Sequence, residues 1–357
     1  MRNPRIDLLR FIGLSAIILA HVDPPRIIFT FRNFDVPLMV VVSGLAYSCS
    51  SKNVTYLAYF WGRIERLVFP VWIFVTFYFL GLWLSGHSGN FLTMRKILET
   101  YTLVGGIGYV WIIRVFLVVA LLSPLVMKFV CGTKSEWMFF LFVGLAFLAY
   151  EFLLWTPVFH FKGSLFSLFD LFFYYGFVYA IIFAVGARLG RMTKIATIVV
   201  SGTALAVFGA ISFYLLDAEG ELFPIQNFKY PPSLYYYSYG IFISTILWLG
   251  SEKLERGLAS IKTLHRVIMF IASHTIWIYL WHIPLINLLA GKHSIWTCWS
   301  TSFLYPGSKF GFVVEYCLIY SIAVVITALQ HALFTKIVIP GCRSTKVKRN
   351  LRTIFIG

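Results

Sequence analysis

Residues 8–22 read LLRFIGLSAIILAHV, an apolar run that carries a cation, Arg10, near its start and an imidazole, His21, near its end. Eleven helical steps at 100° make three turns plus about 20°, so both side chains fall on one helical face. Their axial separation is ~16 Å, about half the hydrocarbon core of a bilayer. Ionisable groups inside a membrane span are costly and mark function more often than not. The pair predicts an anionic carrier held near one membrane surface, with its reactive end handled by the histidine. The bland alternative is that Arg10 snorkels to the interface and His21 hydrogen-bonds a neighbouring helix.

The rest of the chain supports a membrane setting. Of 357 residues, 59% are hydrophobic and only 12% are charged, and the mean hydropathy is +0.82. Soluble domains are near 25% charged, so the expected fold class is all-α, a polytopic transmembrane helical bundle. About ten spans are expected, at roughly 6–22, 34–51, 66–85, 106–129, 136–157, 168–188, 195–216, 232–250, 266–290 and 310–335. The first run lacks a small-residue cleavage site and leads into another apolar segment, so no cleavable signal peptide is expected. One integral-membrane domain over residues 1–340 and a basic tail over 341–357 complete the organisation.

Orientation follows from Lys and Arg. With ten spans, one side carries 21 of the 30 basic residues and the other carries 8, with Arg114 inside a span. Both termini are therefore expected in the cytoplasm. The net charge of +16 is mostly this topology signal. Nucleic-acid binding is disfavoured, because the basic residues are split among short segments. The tail GCRSTKVKRNLRTIFIG is basic enough to touch anionic lipid headgroups. The cysteines Cys49, Cys131, Cys298, Cys317 and Cys342 form no CxxC and no metal spacing, so no metal is expected.

Four further groups could carry chemistry. Arg63 and Arg66 lie three apart, one helical turn, and paired guanidiniums suit phosphate or pyrophosphate. Arg188 and Arg191 repeat the pattern, which shows how readily it arises in cytoplasmic loops. Arg114, Glu151 and His282 fall at similar depths in three different spans. They form either a polar cavity opening outward with His21 at its floor, or an Arg114–Glu151 ion pair that only holds two helices together. KYPPSLYYYSYG, residues 229–240, opens the eighth span on the outer side. Its tyrosines are read mainly as an interfacial belt and alternatively as a surface for sugar rings. Asp217, Glu219 and Glu221, placed in the loop before it, would add hydroxyl acceptors.

In order along the chain, these segments resemble the acyltransferase-3 family of integral-membrane bacterial O-acyltransferases. RIDLLRFIGLSAIILAH is similar to that family's R/K-x10-H signature, with Arg10 and His21 at its ends. VPLMVVVSGLAYS resembles its second-helix pattern through Ser43-Gly44. GRIERLVFPVWI resembles its RxxR segment through Arg63, Arg66 and Pro70. YVWIIRVFLVVALLSPL matches through Trp111, and SHTIWIYLWHIPLI through Tyr279, His282 and Pro284. An apolar run before Ser43-Gly44 and Arg114 in the fourth span depart from the pattern.

The resemblance implies acyl transfer from a cytoplasmic acyl-coenzyme A, with acetyl-CoA or another short acyl-CoA as co-substrate. The acceptor is a hydroxyl of a surface polysaccharide, such as lipopolysaccharide, or of its lipid-linked precursor, in the bacterial inner membrane. On that reading His21, His282 and Tyr279 are catalytic. Arg10, Arg63 and Arg66 bind the coenzyme's phosphates, and Asp35, Arg114, Glu151 and Tyr236 face the acceptor. A transporter or flippase of a lipid-linked sugar is the main rival, its buried charges lining a pathway. A polysaccharide polymerase is disfavoured by the short outer loops.

Overall fold

The computed structural model describes residues 3–50, 55–86, 92–156, 171–220, 223–289 and 311–356. Cys298, Glu221, the side chain of Glu219, the outer loop expected at 290–309 and the start of the sixth expected span lie outside the described residues. Among the described residues the fold is helical, without strands.

The main helices are α1 Pro4–Leu19, α2 Asp35–Ser48, α3 Tyr56–Leu84, α4 Met94–Tyr101, α5 Trp111–Gly132, α6 Glu136–Trp155 and α7 Val178–Leu189. They continue as α8 Lys194–Glu219, α9 Leu234–Ala259, α10 Lys262–Ser273, α11 Thr275–Leu289, α12 Gly311–Leu333 and α13 Thr345–Phe355. Local chemistry sets several starts. Thr55, Thr93, Ser135, Thr193 and Ser344 each stand just before a helix and accept a hydrogen bond from the amide three residues on. Such caps satisfy one of the orphan N–H groups of a first turn.

Among the described residues each expected span overlaps a helix or, at 266–290, two helices. Six of these are long and apolar enough to cross a membrane, and α10 and α11 together make a seventh that bends by 84°. The helix Tyr174–Leu189 is apolar but shorter. Several boundaries differ from expectation: α3 begins at Tyr56 rather than near 66, so Arg63 and Arg66 lie on it, α9 runs to Ala259 rather than 250, and two more differences place candidate residues. α1 ends at Leu19, and His21 sits in the turn that follows, its N–H bonded to the Ile18 carbonyl at 3.0 Å. His21 is thus delivered by a helix end rather than by a helical face. Asp217 and Glu219 belong to α8, not to a loop, because the helix runs on to a left-handed cap at Gly220.

The chain gathers into two compact units. The first comprises Met1–Ala16, Thr30–Asn53 and Val118–Arg266. Within it, α2 and α7 pack at close range. A Cβ on Gly44 would overlap the Phe183 carbonyl oxygen, and one on Gly186 would overlap that of Val41. Small residues let helix backbones approach in this way where no hydrophobic effect drives them together. α8 and α9 also pair, with Phe208 stacked on Tyr235 at 4.9 Å.

The second unit comprises Ile17–Phe29, Val54–Leu117 and Val267–Gly357. Here α11 packs against α12 and α3. Trp281 donates to Gln330 Oε1 at 2.9 Å, and Asn287 donates to the Tyr78 hydroxyl at 2.8 Å. α13 packs on α3, and Trp277 donates to the Ile354 carbonyl at 2.8 Å.

Candidate active site

Three of the expected catalytic residues meet in the second unit. His21 Nδ1 lies 3.1 Å from His282 Nε2. His282 is fully buried, and its Nδ1 turns back along α11 to the carbonyl oxygen of Tyr279. The Tyr279 hydroxyl donates to the carbonyl oxygen of Tyr109 at 2.6 Å. The Tyr109 ring stands edge-on to His21 at 5.0 Å and to His282 at 5.9 Å.

With both rings neutral, this chain of contacts fixes their tautomers. A carbonyl oxygen only accepts, so His282 Nδ1 carries its proton. The neutral His282 ring then presents a lone pair at Nε2, which requires His21 to donate from Nδ1. The second nitrogen of His21, Nε2, is left with the lone pair. A base oriented by a second ring and a backbone carbonyl is the arrangement general-base and nucleophilic catalysis require.

Sequence reasoning did not single out Tyr109. It closes the segment TLVGGIGY, residues 102–109, just before α5. Leu103, Gly106 and Gly108 there have φ of 60°, 78° and 75°. A side chain on Gly106 would overlap the Thr100 hydroxyl, so the path needs glycine. The segment is tied down twice. The Ile107 amide donates to Thr100 Oγ1 at 3.2 Å, and Arg114 Nη1 donates to the Val104 carbonyl at 3.0 Å. Arg114, expected at the acceptor, therefore braces the segment that carries Tyr109. The glycine spacing was the available signal.

The remaining expected residues have other surroundings. Arg10 pairs with Asp7 at 2.7 Å and stays part-exposed, while Asp7 is buried. Arg63 lies over the Tyr59 ring at 5.0 Å, and Arg66, one turn on, is exposed. Neighbouring Glu65 accepts from the Trp61 indole at 2.8 Å. Of the second RxxR pair, Arg188 donates to the carbonyls of Val130, Thr133 and Lys134, capping the end of α5.

Asp35 is the hub of a buried ion group in the first unit. It accepts from Arg32 at 2.7 Å, from Lys229 at 3.3 Å and from the Val36 amide at 2.8 Å. Arg32 also donates to Gln226 Oε1 at 3.2 Å. Burial pushes the Lys229 ammonium below its ordinary range, and the Asp35 carboxylate pulls it partly back. The group ties the segment before α9 to the start of α2. Lys229, Arg32 and Gln226 were not anticipated as its members.

The tyrosines of α9 are core residues rather than an interfacial belt. Tyr235, Tyr236, Tyr237 and Tyr239 are all buried. Tyr237 donates to Glu151 Oε1 at 3.0 Å and stacks on Phe147 at 4.3 Å. Tyr239 donates to the Phe31 carbonyl at 2.6 Å. Hydropathy registers an amphipathic ring but not the acceptor that lets its hydroxyl be buried. Glu151 is thus held by Tyr237, and Tyr236 is fully buried.

Comparison with known proteins supplies the family. No curated protein and no solved structure matches the chain. The family model described as an acyltransferase domain matches residues 3–330, nearly the whole chain. With its several apolar helices of membrane-spanning length, the chain belongs to the acyltransferase-3 family and is a multi-pass membrane acyltransferase.

Proposed function

We propose that the protein is an O-acyltransferase of the bacterial inner membrane, with both termini in the cytoplasm. It moves an acyl group, acetyl in the first instance, from a cytoplasmic acyl-coenzyme A. The acceptor is a hydroxyl of a surface polysaccharide or of its lipid-linked precursor. The observation that supports this most is the His21–His282 contact at 3.1 Å, with His282 held in turn by its own helix.

In the direct reaction, His21 Nε2 takes the proton of the acceptor hydroxyl as its oxygen attacks the thioester carbonyl. The new C–O bond forms and the C–S bond breaks. The His21 imidazolium then returns the proton to the departing thiolate. In the two-step version His21 Nε2 attacks the thioester carbonyl and the C–S bond breaks, releasing the coenzyme A thiolate; the acceptor oxygen then takes the acyl group as the N–C bond breaks, and the hydroxyl proton ends on the thiolate. His282 keeps His21 in the required tautomer, and Tyr279 holds the segment that carries Tyr109. Arg63 and Arg66 are assigned to the donor's phosphates, which paired guanidiniums grip in bidentate fashion. Arg10 is assigned to the donor from its sequence spacing to His21 alone.

The test is deletion of the gene followed by mass spectrometry of the surface glycan. Loss of one acyl mass per modified repeat, restored by the wild-type gene but not by the His21→Ala gene, is expected. A glycan of unchanged acylation would overturn the acceptor assignment. Glycan export lost with acylation unchanged would favour a transporter.

A further inference from the structure

The last helical stretches carry a pattern that acyl transfer does not use. From Tyr316 to Gly357 the chain has no acidic residue and six basic ones. The continuous helix Gly311–Gly341 has 31 residues. At 1.5 Å per residue it is ~46 Å long, well beyond the ~30 Å hydrocarbon core, so one end reaches the headgroup layer. Leu329, Leu333 and Ile337 follow at steps of four and are all exposed, which makes an open apolar stripe along one face. Lys336 is exposed beside its end.

α13 continues from there after the Ser344 cap. Its apolar residues Val347, Leu351, Ile354 and Phe355 recur with helical period. Phe355 stacks between Trp277 at 5.3 Å and Phe334 at 3.7 Å, so this face is pinned on the unit. Lys346, Arg349 and Arg352, three apart, are exposed. At eleven residues α13 is too short to span a bilayer. An amphipathic basic helix of this kind lies in the interface plane.

An exposed apolar stripe that leads into exposed cations matches one ligand chemistry, an acyl chain ending in an anionic phosphate. We propose that α13 and the end of the helix before it bind an anionic phospholipid. Its chain runs along Leu329, Leu333 and Ile337, and its headgroup is held by Lys336 and the basic residues of α13. Through Phe355 and the Trp277–Ile354 hydrogen bond, the bound lipid steadies α11, which carries Tyr279 and His282.

Native mass spectrometry of the full-length protein, purified in detergent and offered equal phosphatidylglycerol and phosphatidylcholine, tests this. The wild type is expected to retain phosphatidylglycerol preferentially. The triple variant Lys346→Gln, Arg349→Gln, Arg352→Gln is expected to bind it on the order of a hundredfold more weakly. Lys336→Gln, which leaves α13 intact, should weaken it about fivefold. Arg95→Gln, an exposed cation paired with Glu99 elsewhere, should leave retention unchanged. A wild type with no headgroup preference, or a Lys336→Gln variant and a folded triple variant that both keep the preference, would overturn the proposal.

Discussion

His21 Nδ1 and His282 Nε2 stand 3.1 Å apart, joining the turn after the first helix to a helix more than 250 residues later in the chain. Because His282 Nδ1 is committed to a carbonyl, the contact has a direction: His21 donates and His282 accepts. The two imidazoles are therefore not equivalent. His21 presents the base, and His282 orients it.

That asymmetry separates their variants. His282→Gln can still accept from His21 through its amide oxygen, so it should keep measurable activity. His282→Ala removes the acceptor and frees the tautomer of His21, and should lower kcat on the order of 10²–10⁴-fold with little change in KM. Steady-state kinetics of the two purified variants checks this. Equal activity of both would remove the orienting role.

Tyr279 and Tyr109 divide differently. Tyr279 uses its hydroxyl, whereas Tyr109 offers its backbone carbonyl and the edge of its ring. Tyr279→Phe should cost about 1 kcal/mol of stability and lower kcat. Tyr109→Phe should be close to wild type, and Tyr109→Ala should lose most activity. Arg114→Ala, which releases the Val104 carbonyl, should lose more activity than Arg114→Lys, which can partly hold it. Activity measured beside thermal unfolding distinguishes these outcomes.

The buried ion group at Asp35 should act on stability. Asp35→Asn leaves Lys229 and Arg32 buried without their shared carboxylate, at a cost of about 3–5 kcal/mol. Pairing it with Lys229→Met should recover part of that loss. Unfolding midpoints of the single and double variants form the cycle. A double variant as unstable as the sum of the singles would show that the two residues do not act together.

Helix proximity gives a packing prediction. Gly186→Ala places a methyl against the Val41 backbone and should destabilise by about 1–3 kcal/mol. Gly202→Ala meets open space and should be neutral or slightly stabilising. Folded yield and unfolding midpoint in detergent report the difference.

Much of this arrangement is legible in the sequence. Apolar runs mark the helices, and His21, His282 and Tyr279 stand out as polar groups in apolar surroundings. What is not legible depends on pairing across long separations. Tyr109 is used through its backbone, which no side-chain chemistry advertises. The α9 tyrosines look interfacial until the Glu151 carboxylate and the Phe31 carbonyl supply partners for two of their hydroxyls. The ion pair of Asp35 is not legible either, because its partner Lys229 lies 194 residues away in sequence.

The most direct test is His21→Gln. The substitution keeps hydrogen bonding and approximate size but removes the base. Acyl transfer by the purified, reconstituted variant is measured with a labelled acyl-coenzyme A and the native acceptor glycan, beside donor binding at equilibrium. The expected result is transfer reduced to background with donor binding unchanged. Transfer at most of the wild-type rate would contradict the account, making His21 a structural hydrogen-bonding residue and moving the chemistry elsewhere.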